Sequence, residues 1–110
     1  MASKLEFVQY AADQLRDAGT ITYRKMFGEY GLYCNGKIFA LVCADQLFIK
    51  ITEAGRRLAP DLKTAPPYDG AKPYFLMEDI DDRKFLTDFV TATCEELPPP
   101  KPKKTRKVGG

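Results

Sequence analysis

The chain has 110 residues, 45% of them hydrophobic, and it contains no histidine. A chain of this length builds one modest core, so we expect a single domain. The absence of histidine removes every Ser-His or Cys-His nucleophile pair and so excludes the hydrolases that use one. We find neither an apolar run that could cross a bilayer nor the apolar centre of a signal peptide, which predicts a cytoplasmic protein.

The net charge of +2 is unevenly divided along the chain. Up to Leu97 there are 12 basic residues against 15 acidic ones, a net charge of −3, and the other five of the 17 basic residues follow Pro98. We predict a domain over residues 1–97 and a disordered Pro- and Lys-rich tail over 98–110, since the tail lacks hydrophobic periodicity. Clustered cations bind phosphate, keep a chain soluble, or are recognised by a receptor. The candidate nucleic-acid contacts in the tail are Lys101, Lys103, Lys104, Arg106 and Lys107.

The first predicted element is a helix that begins at Ser3. Ser3 and Glu6 have the spacing of a capping box, in which each side chain satisfies a backbone N–H of the other. Gly19 is a typical helix stop, so the helix should end near Ala18. The residues at helical spacing between these ends are Leu5, Val8, Ala12 and Leu15.

Four strand signals follow, at 22–27, 30–34, 37–43 and 46–51, and the first of them can also be a short extension of the second. Asn35-Gly36 is a strong hairpin signal. Gly28 and Gly31 indicate a bulge or a close approach of two backbones. The stretch 38–43 is apolar throughout, which predicts a strand covered on both faces. Simple alternation puts Phe39, Leu41 and Cys43 on one face and Ile38, Ala40 and Val42 on the other.

A short helix and another strand come next. Thr52 and Glu53 are good first residues for a helix that runs to about Leu58 and is stopped by Pro60. The turn signal Tyr68-Asp69-Gly70-Ala71 then leads into a strand over 72–77.

Asp79 or Asp81 is expected to cap a closing helix. Its apolar stripe consists of Phe85, Leu86, Phe89, Val90, Thr93 and Leu97. The element order α-β-β-β-α-β-β-α, with hairpin-length links, predicts a two-layer α+β domain whose sheet is mostly antiparallel, with helices on one face. That architecture leaves the other sheet face bare. Because the 38–43 strand is apolar on both faces, we predict that a homodimer buries it.

Neither the cysteines nor the acidic residues form a recognisable chemical motif. Cys34, Cys43 and Cys94 are far apart with apolar neighbours, which favours reduced core thiols over a disulfide framework or a metal cluster. The acidic residues at 78–82 lack the spacing of a calcium loop and stand where a helix begins, which favours capping. We therefore predict no catalytic residue, no cofactor and no metal site.

One segment, 23–42, resembles a known family. It contains Arg24, Met26, Phe27, Gly28, Tyr30, Gly31, Leu32 and Tyr33. It is similar to the Arg-x-Met-Phe-Gly-Gly-Tyr-Gly-Leu-Tyr segment of the N-terminal domain of the TfoX/Sxy family, and the resemblance extends from the first helix to about Leu97. It implies an α+β fold and a role in transcription regulation and competence, the uptake of transforming DNA. Family members often carry a C-terminal domain, whereas here we expect a stand-alone N-terminal domain.

Glu29 departs from the family pattern, which commonly has a glycine there. If the position needs a positive φ, glutamate would be strained.

Two functions remain open from the residues alone. The first is a non-enzymatic regulatory or interaction module that binds protein or protein–DNA partners. The second is a small enzyme that uses tyrosine, lysine or carboxylate chemistry, which a deep polar pocket with perturbed carboxylates would support. The interleaved aromatic and basic residues at 23–33 fit base stacking and phosphate contact, but strand aromatics are more often core residues.

Overall fold

The computed structural model describes residues 5–26 and 29–97. Their elements are α1 (Leu5–Gln14), β1 (Ile21–Met26), β2 (Glu29–Cys34), β3 (Lys37–Cys43), β4 (Gln46–Ile49), α2 (Glu53–Leu58), β5 (Thr64–Ala65), β6 (Tyr74–Met77) and α3 (Arg83–Glu96). The strands form one antiparallel sheet in the order β1-β2-β3-β4-β6-β5. The predicted α+β class and order of helices and strands are confirmed, and the first two strand signals form two separate strands, so that four strands precede α2. The predicted order has two strands after α2, and the two-residue β5 is the one that no residue pattern had located.

The β2–β3 hairpin turns at Asn35-Gly36, as predicted. Asn35 and Gly36 have φ values of 53° and 85°, the positive values that a tight two-residue hairpin turn requires. The Asn35 side-chain oxygen also accepts a hydrogen bond from the Thr20 amide at 2.9 Å. One residue therefore shapes the hairpin and fixes the chain that enters β1.

The alternation predicted for β3 is wrong at two residues, Ile38 and Phe39. The β2–β3 register shifts between Leu32 and Tyr33, which makes Phe39 the extra residue of a bulge. The Phe39 carbonyl accepts a hydrogen bond from the Lys50 amide at 2.8 Å, so the bulge is held by the next strand segment. Because an extra residue reverses the alternation, Phe39 joins Ala40 on the helix side, whereas Ile38 moves to the face of Leu41 and Cys43.

The bulge predicted at Gly28 or Gly31 does not occur at Gly31. Gly31 pairs regularly with Arg24 on one side and with Leu41 on the other. Gly28 lies outside the described residues, as do Ser3 and the tail over 98–110.

The core lies between the sheet and the helices, which all pack on one sheet face. Its largest fully buried side chains include Phe39, Phe75, Phe89, Leu15, Leu32 and Leu47. The rings of Phe75 and Phe89 meet edge to face, with centroids 5.5 Å apart. A Cβ at Gly55 would lie 2.9 Å from the Phe75 ring, so the missing side chain lets α2 approach the core closely. None of the helices within 5–26 and 29–97 combines the length and apolar character needed to cross a membrane.

The short helix α2 begins and ends as predicted. The Thr52 hydroxyl accepts a hydrogen bond from the Gly55 amide at 3.0 Å, and the helix stops at Leu58, before Pro60.

The predicted cap of α3 is wrong by one residue. Asp82 caps the helix by accepting from the Phe85 amide at 3.2 Å. Asp81 instead accepts a hydrogen bond from the Tyr10 hydroxyl of α1, and Asp79 accepts from the Asp81 amide at 3.3 Å. A contact with a distant helix therefore decides which aspartate is available as the cap.

The predicted end of α1 also needs correction. The α-helix stops at Gln14, and a 3₁₀ turn over Arg16–Ala18 continues to Gly19. Gly19 has a φ of 153° and not the left-handed helical value of an ordinary glycine stop. A Cβ there would lie 2.8 Å from the Cys34 sulfur, so glycine serves both the backbone angle and the packing.

Candidate interaction surface

The sheet face opposite the helices, here called the outer face, carries an apolar row. The strand register pairs Leu41 with Phe48 and Phe48 with Leu76, so the three side chains lie side by side across β3, β4 and β6. Three more apolar side chains of the outer face flank this row. The six residues, here called the outer patch, are Tyr33, Ile38, Leu41, Phe48, Tyr74 and Leu76.

The outer patch is separate from the core. None of its six members belongs to the core cluster or to the half-buried residues packed against that cluster. Phe48 is only 4% exposed, and the other five are half-buried. Over residues 5–26 and 29–97 no helix covers this face, so the coverage expected on both sides of β3 is found on the helix side alone.

Two ionisable groups at the outer patch, Tyr74 and Cys43, have raised pKa values. Burial raises the pKa of the Tyr74 hydroxyl, and the neighbouring Tyr68 and Cys43 raise it further. Burial also raises the pKa of the Cys43 thiol, with a smaller contribution from the Glu29 carboxylate. The patch thus offers apolar contact area and no charge of its own.

Charged residues lie at both ends of the apolar row. Arg24 of β1 continues the row beyond Gly31, and it is exposed. At the opposite end Glu78 follows β6, where it forms an exposed ion pair with Lys63 at 3.6 Å. Lys63 lies opposite Leu76 and balances Glu78 at this end, whereas Arg24 lies at the β1 end.

Glu29 does not have the positive φ that would strain a glutamate, and its side chain supports a neighbouring turn. It is the first residue of β2, pairs with Met26, and is not among the residues with positive φ. Its carboxylate accepts a hydrogen bond from the Ala44 amide at 3.1 Å. Glu29 thereby supports the β3–β4 turn, where Ala44 and Asp45 have φ values of 53° and 58°.

The residues of the family motif divide between the two sheet faces. Arg24, Gly31 and Tyr33 belong to the outer face. Leu32 is fully buried in the core, and Tyr30 meets Tyr23 edge to face at 6.2 Å on the same side. Met26 ends β1, and Phe27 and Gly28 lie outside the described residues.

The interleaved aromatic and basic residues therefore do not form one nucleic-acid surface. Tyr23 and Lys25 belong to the helix side of the sheet, and Arg24 belongs to the outer face. The Tyr23 hydroxyl accepts a weak hydrogen bond of 3.4 Å from the Gln9 side chain of α1. The candidate contacts Lys101, Lys103, Lys104, Arg106 and Lys107 lie outside the described residues.

Sequence reasoning did not identify the outer patch as a unit. In the 46–51 strand, apolar Phe48 stands where the alternation of polar and apolar residues calls for a polar one. That position was the one sign in the sequence of an apolar outer face. Leu76 and Tyr74 fell within a predicted strand, but their pairing with β4 links residues far apart in sequence.

Acid–base and metal chemistry find little support among residues 5–26 and 29–97. Glu96 is the carboxylate whose pKa is clearly displaced, and the backbone amides of Ala54 and Glu53 lower it, which keeps the group ionised. No group of three or more Cys, Asp or Glu side chains is arranged there to hold a metal ion. A cavity of about 200 Å³ lies near Phe7, Leu76 and Ile80 and has a mainly apolar lining.

Comparison with known proteins agrees with the motif. The profile of the TfoX N-terminal domain matches residues 13–97, which include every strand and α3. The "uncharacterized 12.7 kDa protein in trpE 5′ region" of Spirochaeta aurantia is 31% identical over 107 residues, which cover 96% of this chain and 93% of that protein. The chain belongs to the TfoX N-terminal domain family.

Proposed function

We propose that this chain is a non-enzymatic regulatory module of the TfoX/Sxy kind, with a role in competence, and that it acts by binding. Its first partner is a second copy of itself, docked through the outer patch. The observation that supports this proposal is the row Leu41, Phe48 and Leu76 on a sheet face without a helix. A contiguous apolar patch on a sheet face is often a functional contact surface.

A second copy fits the outer patch in shape. A two-fold axis near Leu41 and Phe48, in the middle of the sheet, would place the β1 edge of one copy over the β5 edge of the other. Arg24 of each copy would then approach the Lys63–Glu78 ion pair of its partner. A flat apolar sheet is self-complementary, since two such faces pack together about 10 Å apart.

The dimer should be weak. The outer patch spans four strands about 4.8 Å apart and two rows of side chains about 7 Å apart, roughly 200–300 Å² of sheet surface. A tight interface buries about 800 Å² on each partner. We therefore expect a dissociation constant in the micromolar range, suited to a contact that other partners can replace.

An enzymatic function receives less support from the same geometry. A general acid or base needs a pKa moved toward neutrality, whereas the carboxylate of Glu96 is shifted the opposite way. The displaced groups Tyr74 and Cys43 are moved upward, away from the charged forms that act as nucleophile or base.

Sedimentation velocity from about 1 µM to about 1 mM tests the proposal. The wild-type chain should change from monomer to dimer over this range. Leu41→Glu should remain monomeric, because it would bury two carboxylates at the two-fold axis. Leu58→Glu is the matched control, since Leu58 is 49% exposed on α2 and away from the outer face.

A wild-type chain that stays monomeric throughout would contradict the proposal. So would a dimer that Leu41→Glu leaves unchanged, because its interface would lie elsewhere. Circular dichroism of each variant checks that the fold is retained.

A further inference from the structure

Cys34 and Cys94 lie together although the sequence separates them widely. Cys34 ends β2 and is fully buried, and Cys94 lies in the last turn of α3 with 6% exposure. The Cys34 thiol lies close enough to Cys94 to contribute to the raised pKa of that residue. Both line a cavity of about 150 Å³, together with Lys37 and Thr91.

Neighbouring groups hold the two cysteines in place. The Cys34 thiol donates to the Ala18 carbonyl at 3.7 Å. The Lys37 ammonium donates to the Cys94 carbonyl at 2.8 Å and so ties the start of β3 to the end of α3. The missing side chain of Gly19 leaves room for the Cys34 sulfur. The third cysteine, Cys43, belongs to the outer face, on the other side of the sheet.

We propose that Cys34 and Cys94 are an oxidative modification site, a dithiol that a small hydroperoxide converts into an intramolecular disulfide. One sulfur attacks a peroxide oxygen, the O–O bond breaks, and water or an alcohol leaves while a sulfenic acid forms. The second sulfur then displaces the sulfenic oxygen as water. Two thiols are oxidised and one peroxide is reduced, so protons and electrons balance.

The cavity selects for small oxidants. A water molecule takes up about 30 Å³ in the liquid, so 150 Å³ admits hydrogen peroxide but not a glutathione disulfide. Burial, followed by the hydrogen bond with Cys34, raises the pKa of Cys94 to about 12, and the nearby Lys37 charge acts in the opposite direction. Little thiolate is present at neutral pH, so the site responds to sustained oxidant and not to a brief pulse.

The disulfide would connect two parts of the fold. It would fasten the end of β2 to the last turn of α3, two residues before Glu96, whose carboxylate contacts the start of α2. Closing so long a loop reduces the freedom of the unfolded chain. The oxidised protein should therefore melt several degrees above the reduced one.

Mass spectrometry of the full chain tests the proposal after treatment with hydrogen peroxide and a thiol-alkylating reagent. Two of the three free thiols should disappear, with a loss of two hydrogens, and proteolysis should yield one peptide pair joined through Cys34 and Cys94. A dithiol reductant should restore all three. The reaction should accelerate as the pH rises, because the thiolate fraction increases.

Two variants distinguish a disulfide between Cys34 and Cys94 from one that involves Cys43. Cys43→Ser should form the same disulfide and show the same rise in melting temperature. Cys94→Ser should form no internal disulfide and show no rise. The proposal is overturned if oxidation of the wild type gives only sulfinic acids, disulfides between chains, or a link that involves Cys43.

Discussion

Single residues link elements that are distant in sequence, and Glu96 is the clearest case. Its carboxylate accepts from the Glu53 amide at 3.0 Å and from the Ala54 amide at 2.9 Å. These donors belong to the first turn of α2, where backbone N–H groups lack partners within the helix. The last residue of α3 therefore caps a different helix, and the two N–H groups lower the pKa of its carboxyl below the ordinary value of 4.5.

The contribution of Glu96 to stability should depend on pH. Because the folded-state pKa is lowered, the contribution is complete above the unfolded-state pKa and disappears as the pH falls through the folded-state value. Glu96→Gln should therefore be less stable than the wild type at pH 7, and the difference should shrink in acid. Denaturant unfolding of both chains between about pH 7 and pH 3 measures this.

The neighbouring carboxylate supplies the control for that measurement. Glu95 is exposed on the same turn of α3. Glu95→Gln should show no such narrowing with pH, and equal curves for the two variants would show that the contacts with Glu53 and Ala54 are not responsible.

At the scale of elements, the two tight hairpins differ in how well their residues suit their turns. The β2–β3 turn uses Asn35-Gly36, which tolerate positive φ. The β3–β4 turn places Ala44 and Asp45 at φ values of 53° and 58°. An alanine in the left-handed region costs about 1–2 kcal/mol, so this turn is held by the strands it joins and by Glu29.

Ala44→Gly should therefore stabilise the domain. Relief of the left-handed alanine should exceed the loss of about 0.5–1 kcal/mol from glycine flexibility, which leaves a net gain of roughly 0.5–1 kcal/mol. Thermal and denaturant unfolding measure the gain. Ala92→Gly in the middle of α3 is the matched control, and it should destabilise by about 1 kcal/mol. A destabilised Ala44→Gly chain would contradict the prediction.

Features that depend on adjacent residues were predictable, and those set by distant contacts were not. The Asn35-Gly36 turn and the Thr52 cap follow from neighbouring residues. The bulge at Phe39 depends on how β3 is paired on both sides, which a single-strand pattern does not contain. The choice of Asp82 as the cap depends on Tyr10, which lies in another helix.

The whole domain has a helix side and an outer side. The helices bury one face of the sheet, and the outer patch makes up the other. The sequence predicted an apolar face and a homodimer, and the dimer stays a prediction. The contact between Cys34 and Cys94 could not be foreseen, because strand and helix patterns do not specify which end of α3 meets β2.

The basic tail provides a prediction for the whole molecule. Suppose that the five cations between Lys101 and Lys107 bind duplex DNA. The logarithm of the association constant should then fall linearly with the logarithm of the salt concentration, with a slope no steeper than about −4.5. Deleting residues 98–110 should abolish binding, because the remainder carries a net charge of −3. Fluorescence anisotropy with a labelled duplex measures the binding of each chain at low salt, and a salt titration gives the slope.

Folding and association of the truncated chain serve as the control. The outer patch and the core lie within 5–97, so sedimentation and melting should be unchanged by the deletion. Equal DNA binding by the two chains, or none by either, would contradict a role for the tail in contacting nucleic acid.

The order of strands in the sheet also has a consequence for how the chain folds. Strands β1 to β4 follow one another as hairpins, so each pairing is local and closes quickly. The sheet's helix side is completed by α3, which a ribosome releases after all six strands. We expect the nascent meander to expose apolar side chains on both faces until α3 docks, and this is the stage at which the chain is most prone to aggregation and to chaperone capture.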